Sequence, residues 1–164
     1  MKRLRFYGME KAYYAEEHGY NARLDEVHAA ILLYKLNQLD ANNDKRRKLA
    51  KRYDEILAST TLKLPVKSDI NEHVYYLYVA RHEAREHIMS ELKSKDILTN
   101  ISYPWPIHTM RGYAYLGYGE GDLPITEKAA NEIFSLPMYP TLSYAQQDIV
   151  CSALSEILSC PISL

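Results

Sequence analysis

Two histidines flank a run of charge in His82-Glu83-Ala84-Arg85-Glu86-His87. A zinc site of the metalloprotease kind places two imidazoles four residues apart, so that both share one helix face. Here they are five apart, about 500° around a helix, which sets them roughly 140° off each other. The segment reads as an ordinary solvated helix start, not a metal site. Gly117-Tyr118-Gly119-Glu120-Gly121 has the glycine density of a phosphate loop. A dinucleotide fingerprint needs a strand before it and a helix opening on its last glycine. Neither frame is present and an acid interrupts the run, so the segment reads as a turn. No Ser/His/Asp or Cys/His set emerges, and Cys151, beside Val150 and Leu154, fits a buried structural thiol. Tyr103-Pro104-Trp105-Pro106-Ile107-His108 is more suggestive. Two prolines stiffen it, and it presents an aromatic and a histidine together at the end of a predicted strand. Such a loop suits the wall of a ligand cleft, and equally a packed connector.

Composition bounds the possibilities. The chain has 164 residues, 47% hydrophobic and 25% charged, ordinary values for a soluble domain with a real core. A formal net charge of -1 gives no bulk attraction to nucleic acid or to an anionic membrane. Lys45-Arg46-Arg47-Lys48, with Lys51 and Arg52, is a basic run, but Asp40, Asp44, Asp54 and Glu55 lie among it. It reads as a solvated helix face with i,i+4 pairs such as Asp44–Lys48 and Lys51–Glu55. No apolar run approaches the roughly 18 residues of a membrane span. No apolar region follows the basic Met1-Lys2-Arg3-Leu4-Arg5, so no signal peptide is expected. Two thiols, Cys151 and Cys160, suit a reducing cytosol better than a disulfide scaffold. Fifteen tyrosines stand against two phenylalanines and one tryptophan. A ring with a polar tip suits interfaces and clefts, or a half-wet core.

The elements that must position these residues follow from periodicity and punctuation. Residues 1–20 read as irregular, with a short extended piece around Leu4–Tyr7. Gly19 and Asn21 are turn residues, and Asp25 and Glu26 are acids where a helix begins, well placed against its positive end. Leu24, Val27, Ile31, Leu32, Leu36 and Leu39 recur at helical steps, and the pattern resumes at Leu49, Tyr53, Ile56 and Leu57. No Pro or Gly falls between Asn21 and Ser59, which predicts one long helix over about 24–58. A break at Asn42-Asn43 is the alternative. Strands are predicted at Thr61–Leu64, Val74–Ala80, Ile97–Tyr103 and Phe134–Leu136. Helices are predicted at Glu83–Lys95, from Pro124 to Glu132, and from an N-cap at Ser143 to Leu158. The order implies a small α/β layer, a three-stranded sheet with helices on one face.

Gly19-Tyr20-Asn21-Ala22-Arg23-Leu24-Asp25-Glu26-Val27-His28-Ala29-Ala30-Ile31-Leu32 closely resembles a signature of the DegT/DnrJ/EryC1/StrS sugar aminotransferases. The likeness continues through Leu4–Gly8, the helix positions Asn43, Arg46, Ala50 and Tyr53, and His73–Val79. It then takes in Tyr103–His108, Asp122-Leu123-Pro124 with Glu127, and Ser135–Pro140. The wording around Ile101–His108 looks most like enzymes that aminate the 3-keto group of a dTDP-linked 6-deoxysugar.

The resemblance implies the small C-terminal domain of the aspartate-aminotransferase architecture, which closes over a large domain carrying pyridoxal 5'-phosphate (PLP) on a lysine. It implies transamination from L-glutamate to a nucleotide-linked keto sugar, often for O-antigen (lipopolysaccharide) or antibiotic sugars, by cytoplasmic dimers with shared active sites. Asn21 matches a residue that reaches the PLP phosphate of the partner subunit, and Arg23 beside it adds charge. Tyr103 and His108 match a loop near the sugar-nucleotide. The family's lysine precedes the Gly19 signature, and none of the eleven lysines here has that context. The expectation is therefore a lead-in segment at 1–23, continuing from a PLP domain outside these residues, and a small domain at 24–164. No catalytic residue and no metal ligand is expected within the chain, which by itself would not transaminate. A C-terminal fragment, the product of a broken gene and one half of a split enzyme all fit. A non-enzymatic module that pairs through its long helix is the competing expectation.

Overall fold

Asp25 opens the first helix as expected: its backbone is extended and its side chain accepts from the His28 N–H at 2.8 Å. Glu26 follows in the first turn, where the helix dipole favours an acid. The computed structural model describes residues 1–11 and 13–159, so Cys160 lies outside the described residues. Contacts divide the chain into two compact units, Met1–Asp40 and Ala41–Leu164.

In the first unit a short antiparallel pair, β1 (Met9–Lys11) with β2 (Tyr14–Ala15), follows the lead-in. The extended piece around Leu4–Tyr7 is reduced to turns and one bridge, Phe6 to Asn21. The Tyr7 N–H donates to Tyr20 O at 3.0 Å and the Ala22 N–H to Arg5 O at 3.0 Å, bringing the two segments together. Helix α1 (Glu26–Leu36) completes the unit, and none of its residues is buried.

The single helix expected over 24–58 is two helices, α1 and α2 (Leu39–Leu57). The break falls at Asn37-Gln38, while Asn42 and Asn43 lie inside α2. The Gln38 N–H turns back to Lys35 O at 3.0 Å, a three-residue closure that tightens the end of a helix. Asparagine competes well with helical backbone bonding, so this pair can stop a helix without Pro or Gly.

The second unit is built on an antiparallel pair, β3 (Tyr78–Arg81) and β4 (Ile133–Leu136). Tyr78 stands opposite Leu136 and Ala80 opposite Phe134, and all four are buried. Alternation puts them on one face, toward α2, α3 (Arg85–Ser94) and α5 (Tyr144–Ser159). These helices contribute Leu49, Tyr53 and Leu57, then Ile88 and Leu92, then Val150, Cys151, Leu154 and Ile157. The predicted three-stranded sheet is not formed; the described residues hold two two-stranded sheets. Thr61–Leu64 and Ile97–Tyr103 each touch the β3–β4 pair at a single bridge, Lys63 to Arg81 and Asn100 to Ser135. Pro65 and Pro104 follow these segments, and a residue without an N–H cannot extend a ladder.

The later helices match their sequence signals. Helix α4 spans Pro124–Glu132 with Pro124 in its first turn. At α5, Ser143 Oγ accepts from the Gln146 N–H at 3.2 Å and Gln146 Oε1 accepts from the Ser143 N–H at 3.0 Å, a reciprocal cap. The tyrosines take both expected parts. Tyr53 and Tyr78 are core residues with satisfied hydroxyls, donating to Pro137 O at 3.0 Å and to Asp54 Oδ1 at 2.7 Å. Tyr34, Tyr76, Tyr103 and Tyr115 lie on the surface.

Candidate functional site

The Tyr103–His108 loop leaves the Asn100 bridge and runs through two prolines into a 3-10 turn at Ile107–Thr109. The Thr109 N–H and hydroxyl both donate to Pro106 O, at 3.1 and 2.9 Å. Beside this loop is a cleft of about 350 Å³, lined by Pro104, Trp105, Pro106, Thr109, Glu120, Glu127 and Asn131. It pairs an aromatic and proline wall with carboxylates and an amide. That mix suits a polar ring that also offers C–H faces. Tyr103 is 79% exposed at the start of the loop. His108 is buried, 7% exposed, and its Nε2 lies 2.8 Å from Glu127 Oε1.

Glu127 and His108 were each legible only as parts of separate motifs, and their pairing was not legible. The Glu127 carboxylate also accepts from the Gly121 N–H at 2.9 Å and the Leu123 N–H at 3.2 Å. The His108 bond first, then the Gly121 N–H, hold its pKa below the usual carboxylate range against the opposing effect of burial. A Glu shortly after a helix-opening Pro, reaching back to uncapped N–H groups, is the local signal that could have found it. The same bonds settle the glycine-rich loop: Asp122 takes the Gly119 N–H at 2.7 Å and Glu127 that of Gly121. These donors face carboxylates and are not presented to a phosphate.

Asn21 and Arg23 lie in the first unit, Tyr103 and His108 in the second. Asn21 is exposed on the bridge to Phe6, and the Arg23 guanidinium sits 5.5 Å from the centre of the Phe6 ring. Among the described residues neither side chain makes a hydrogen bond or ion pair. A neutral amide and an exposed guanidinium with open donors fit the oxygens of a phosphate, so these two residues fit that end of PLP. His82 is occupied otherwise: its Nε2 lies 3.0 Å from Thr61 Oγ1, and its Nδ1 accepts from the Ala84 N–H at 3.0 Å. The three arginines of the basic run on α2 are used within the chain. Arg46 donates to the carbonyls of Tyr75, Tyr76 and Met138, Arg47 pairs with Asp44, and Arg52 meets Asp148 at 2.5 Å.

The sequence pattern of the DegT/DnrJ/EryC1/StrS aminotransferase family matches residues 1–155. The chain belongs to this family. A dTDP-3-amino-3,4,6-trideoxy-alpha-D-glucose transaminase of Micromonospora megalomicea subsp. nigra is 52% identical, over 97% of this chain and 44% of that relative. A dTDP-3-amino-3,6-dideoxy-alpha-D-galactopyranose transaminase of Aneurinibacillus thermoaerophilus is 38% identical, over 93% of this chain and 42% of its own length. Among solved structures, DesV of S. venezuelae superposes with a TM-score of 0.94 at 36% identity, covering 98% of this chain and 44% of that one. NtdA from Bacillus subtilis, solved with bound cofactor PMP, superposes at 0.85 with 30% identity, over 96% of this chain and 38% of its own. The DegT-family chain is thus a portion of the type I PLP aminotransferase fold, spanning less than half the length of these relatives. None of its helices among the described residues is long and apolar enough to cross a membrane.

Proposed function

We propose that these residues form the C-terminal part of a PLP-dependent aminotransferase that moves an amino group from L-glutamate to a dTDP-linked keto-6-deoxysugar. The carrying observation is the 52% identity to a dTDP-sugar transaminase along 97% of the chain. The cleft beside Trp105, with its aromatic wall and its acid and amide lining, suits the hydroxyl-bearing sugar ring of such a ligand. When bound, PLP supplies the electron sink for breaking the C–H bond of the amino donor. The part of this chain is to hold and to shape. The Asn21 amide and Arg23 guanidinium donate to the cofactor phosphate of a partner subunit. Tyr103 and the proline-braced loop border the sugar-nucleotide. The PLP-lysine domain and a second subunit are the proposed partners, the setting is cytoplasmic, and the product serves lipopolysaccharide O-antigen synthesis.

These 164 residues do not transaminate alone, because none of their eleven lysines stands in the family's PLP-lysine context. Incubating the pure chain with PLP, reducing with borohydride and mapping peptides tests this directly. The expected result is no stoichiometrically labelled lysine and no spectral response to L-glutamate. One fully labelled lysine would overturn the reading. A second reading, a non-enzymatic module, is favoured by the uncovered apolar surface of α1. A stable dimer without affinity for PLP or dTDP would favour it.

A further inference from the structure

We propose that Glu127 is the positioning residue of the cleft, tying the Tyr103–His108 loop to helix α4 and so setting where Trp105 stands. The assignment deepens the sugar-nucleotide reading and rests on it for its meaning, though not for its geometry.

The loop cannot hold itself. Pro104 and Pro106 carry no N–H, and the 3-10 turn that follows closes only on Pro106 O and Ile107 O. What reaches from the loop to a regular element is the imidazole of His108. Its ring is 7% exposed and its Nε2 is 2.8 Å from Glu127 Oε1. Glu127 sits one turn into α4, on a helix whose start is fixed by Pro124, so the acceptor has a rigid base. Its carboxylate gathers a third segment as well, through the N–H groups of Gly121 and Leu123. Gly121 has φ +91, a conformation that side chains rarely adopt and that helps present its N–H to the carboxylate. One carboxylate therefore joins the proline loop, the glycine loop and the helix, and all three contribute lining to the same cleft through Pro104, Glu120 and Asn131. The titratable groups around it are His108 from the proline loop, and Glu120 and Asp122 from the glycine loop, where Asp122 is already held by the Gly119 N–H at 2.7 Å. A carboxylate that only capped α4 would need the Gly121 and Leu123 bonds but not the one to His108.

Trp105 is the only tryptophan of the chain, so its fluorescence reads this loop alone. The test compares the full chain with its Glu127→Ala and Glu127→Gln variants. For Glu127→Ala we expect lower Trp105 anisotropy and at least about tenfold faster amide exchange at Gly121 and Leu123. Protection of the β3–β4 amides should be unchanged, which shows that the fold survives. Glu127→Gln keeps an acceptor oxygen and should restore the two amides. In the wild type, Trp105 anisotropy should fall in acid, below the ordinary carboxylate value of 4.5, and the Gln variant should lack that transition. If Glu127→Ala frees Gly121 and Leu123 but leaves Trp105 anisotropy unmoved, Glu127 is a helix cap only and the proposal fails. Titration with dTDP separates this from the substrate reading. A loosened loop in the variant, with no wild-type response to dTDP in the chain joined to its PLP-lysine domain and second subunit, sinks the sugar-nucleotide reading and leaves the positioning role standing. Equal dTDP binding by wild type and variant with unchanged anisotropy does the reverse.

Discussion

At the scale of single residues, buried polar groups decide how the second unit holds its shape. Glu132 is 3% exposed at the junction of α4 and β4, where Arg81 donates to its Oε2 through Nε at 3.2 Å and through a terminal nitrogen at 2.8 Å. Lys63 and Lys128 stand at 3.5 and 3.6 Å. Burial alone raises the pKa of such a group, but the Arg81 bonds and the neighbouring cations win and lower it. Removing the guanidinium with Arg81→Met should cost about 2 kcal/mol of stability in urea unfolding, the scale of a lost hydrogen bond to a buried charge. Tyr78→Phe takes one donor from Asp54, which keeps Lys67 at 2.8 Å. Its expected cost is smaller, about 1 kcal/mol by the same measurement. The Cys151 thiol is 2% exposed and pushed by burial up to about 11. It should resist iodoacetamide near pH 8 in the native chain and react only after unfolding, which peptide mapping resolves from Cys160.

At the scale of elements, α1 and the loop before it carry the sharpest consequences. Val27, Leu33 and Tyr34 are 71%, 66% and 70% exposed, with Ile31, Leu32 and Leu36 beside them on a helix that buries nothing. Contiguous apolar surface of this kind marks a face built for a partner. Covering one such side chain contributes about 1.5–3 kcal/mol, so the isolated chain should self-associate as its concentration rises. Sedimentation velocity over a concentration series checks this, and Leu33→Glu should shift the chain toward monomer. A strictly monomeric wild type would count against it. The turn before α1 depends on two glycines. A Cβ at Gly19 would overlap the backbone of Gly8, and one at Gly8 the carbonyl of Glu17. Gly19→Ala should therefore open the pairing around Phe6 and Asn21, seen as faster amide exchange at Tyr7 and Ala22, with the second unit unaffected.

Across the whole molecule, acid and alkali attack different groups. Burial raises the pKa of Tyr53 and Tyr78 above the ordinary 10.0, with the Asp54 bond adding at Tyr78. Their contribution to stability is complete below pH 10.0 and is lost as pH rises above it toward the folded value. Glu132 behaves in the opposite sense. Its folded pKa lies below 4.5, so its contribution is present above that pH and is lost as pH falls through the lowered value. The thermal midpoint should be flat between these limits and decline on both sides. Arg81→Met should remove part of the acid-side decline and leave the alkaline side unchanged.

Much of this architecture is legible in the sequence, and the reason is range. Pro124 at a helix start, the Ser143 cap with Gln146 and the Ile88–Leu92 spacing act within one or two turns, so α3, α4 and α5 fall close to where the sequence puts them. The Asp25 cap is of the same kind. The family motifs are also strings of neighbours, and the match over residues 1–155 bears them out. Tertiary structure decided what depends on distant residues. Thr61–Leu64 and Ile97–Tyr103 have strand composition, but pairing requires a partner that continues alongside, and each meets β3–β4 at one bridge. The apolar residues of α1 are legible in the sequence, but whether anything covers them depends on contacts that no helical spacing encodes. His108 and Glu127 are nineteen residues apart, one on a proline-braced loop and one on a helix. Only the fold brings that imidazole to that carboxylate, because a hydrogen bond depends on separation in space and not on position in the chain.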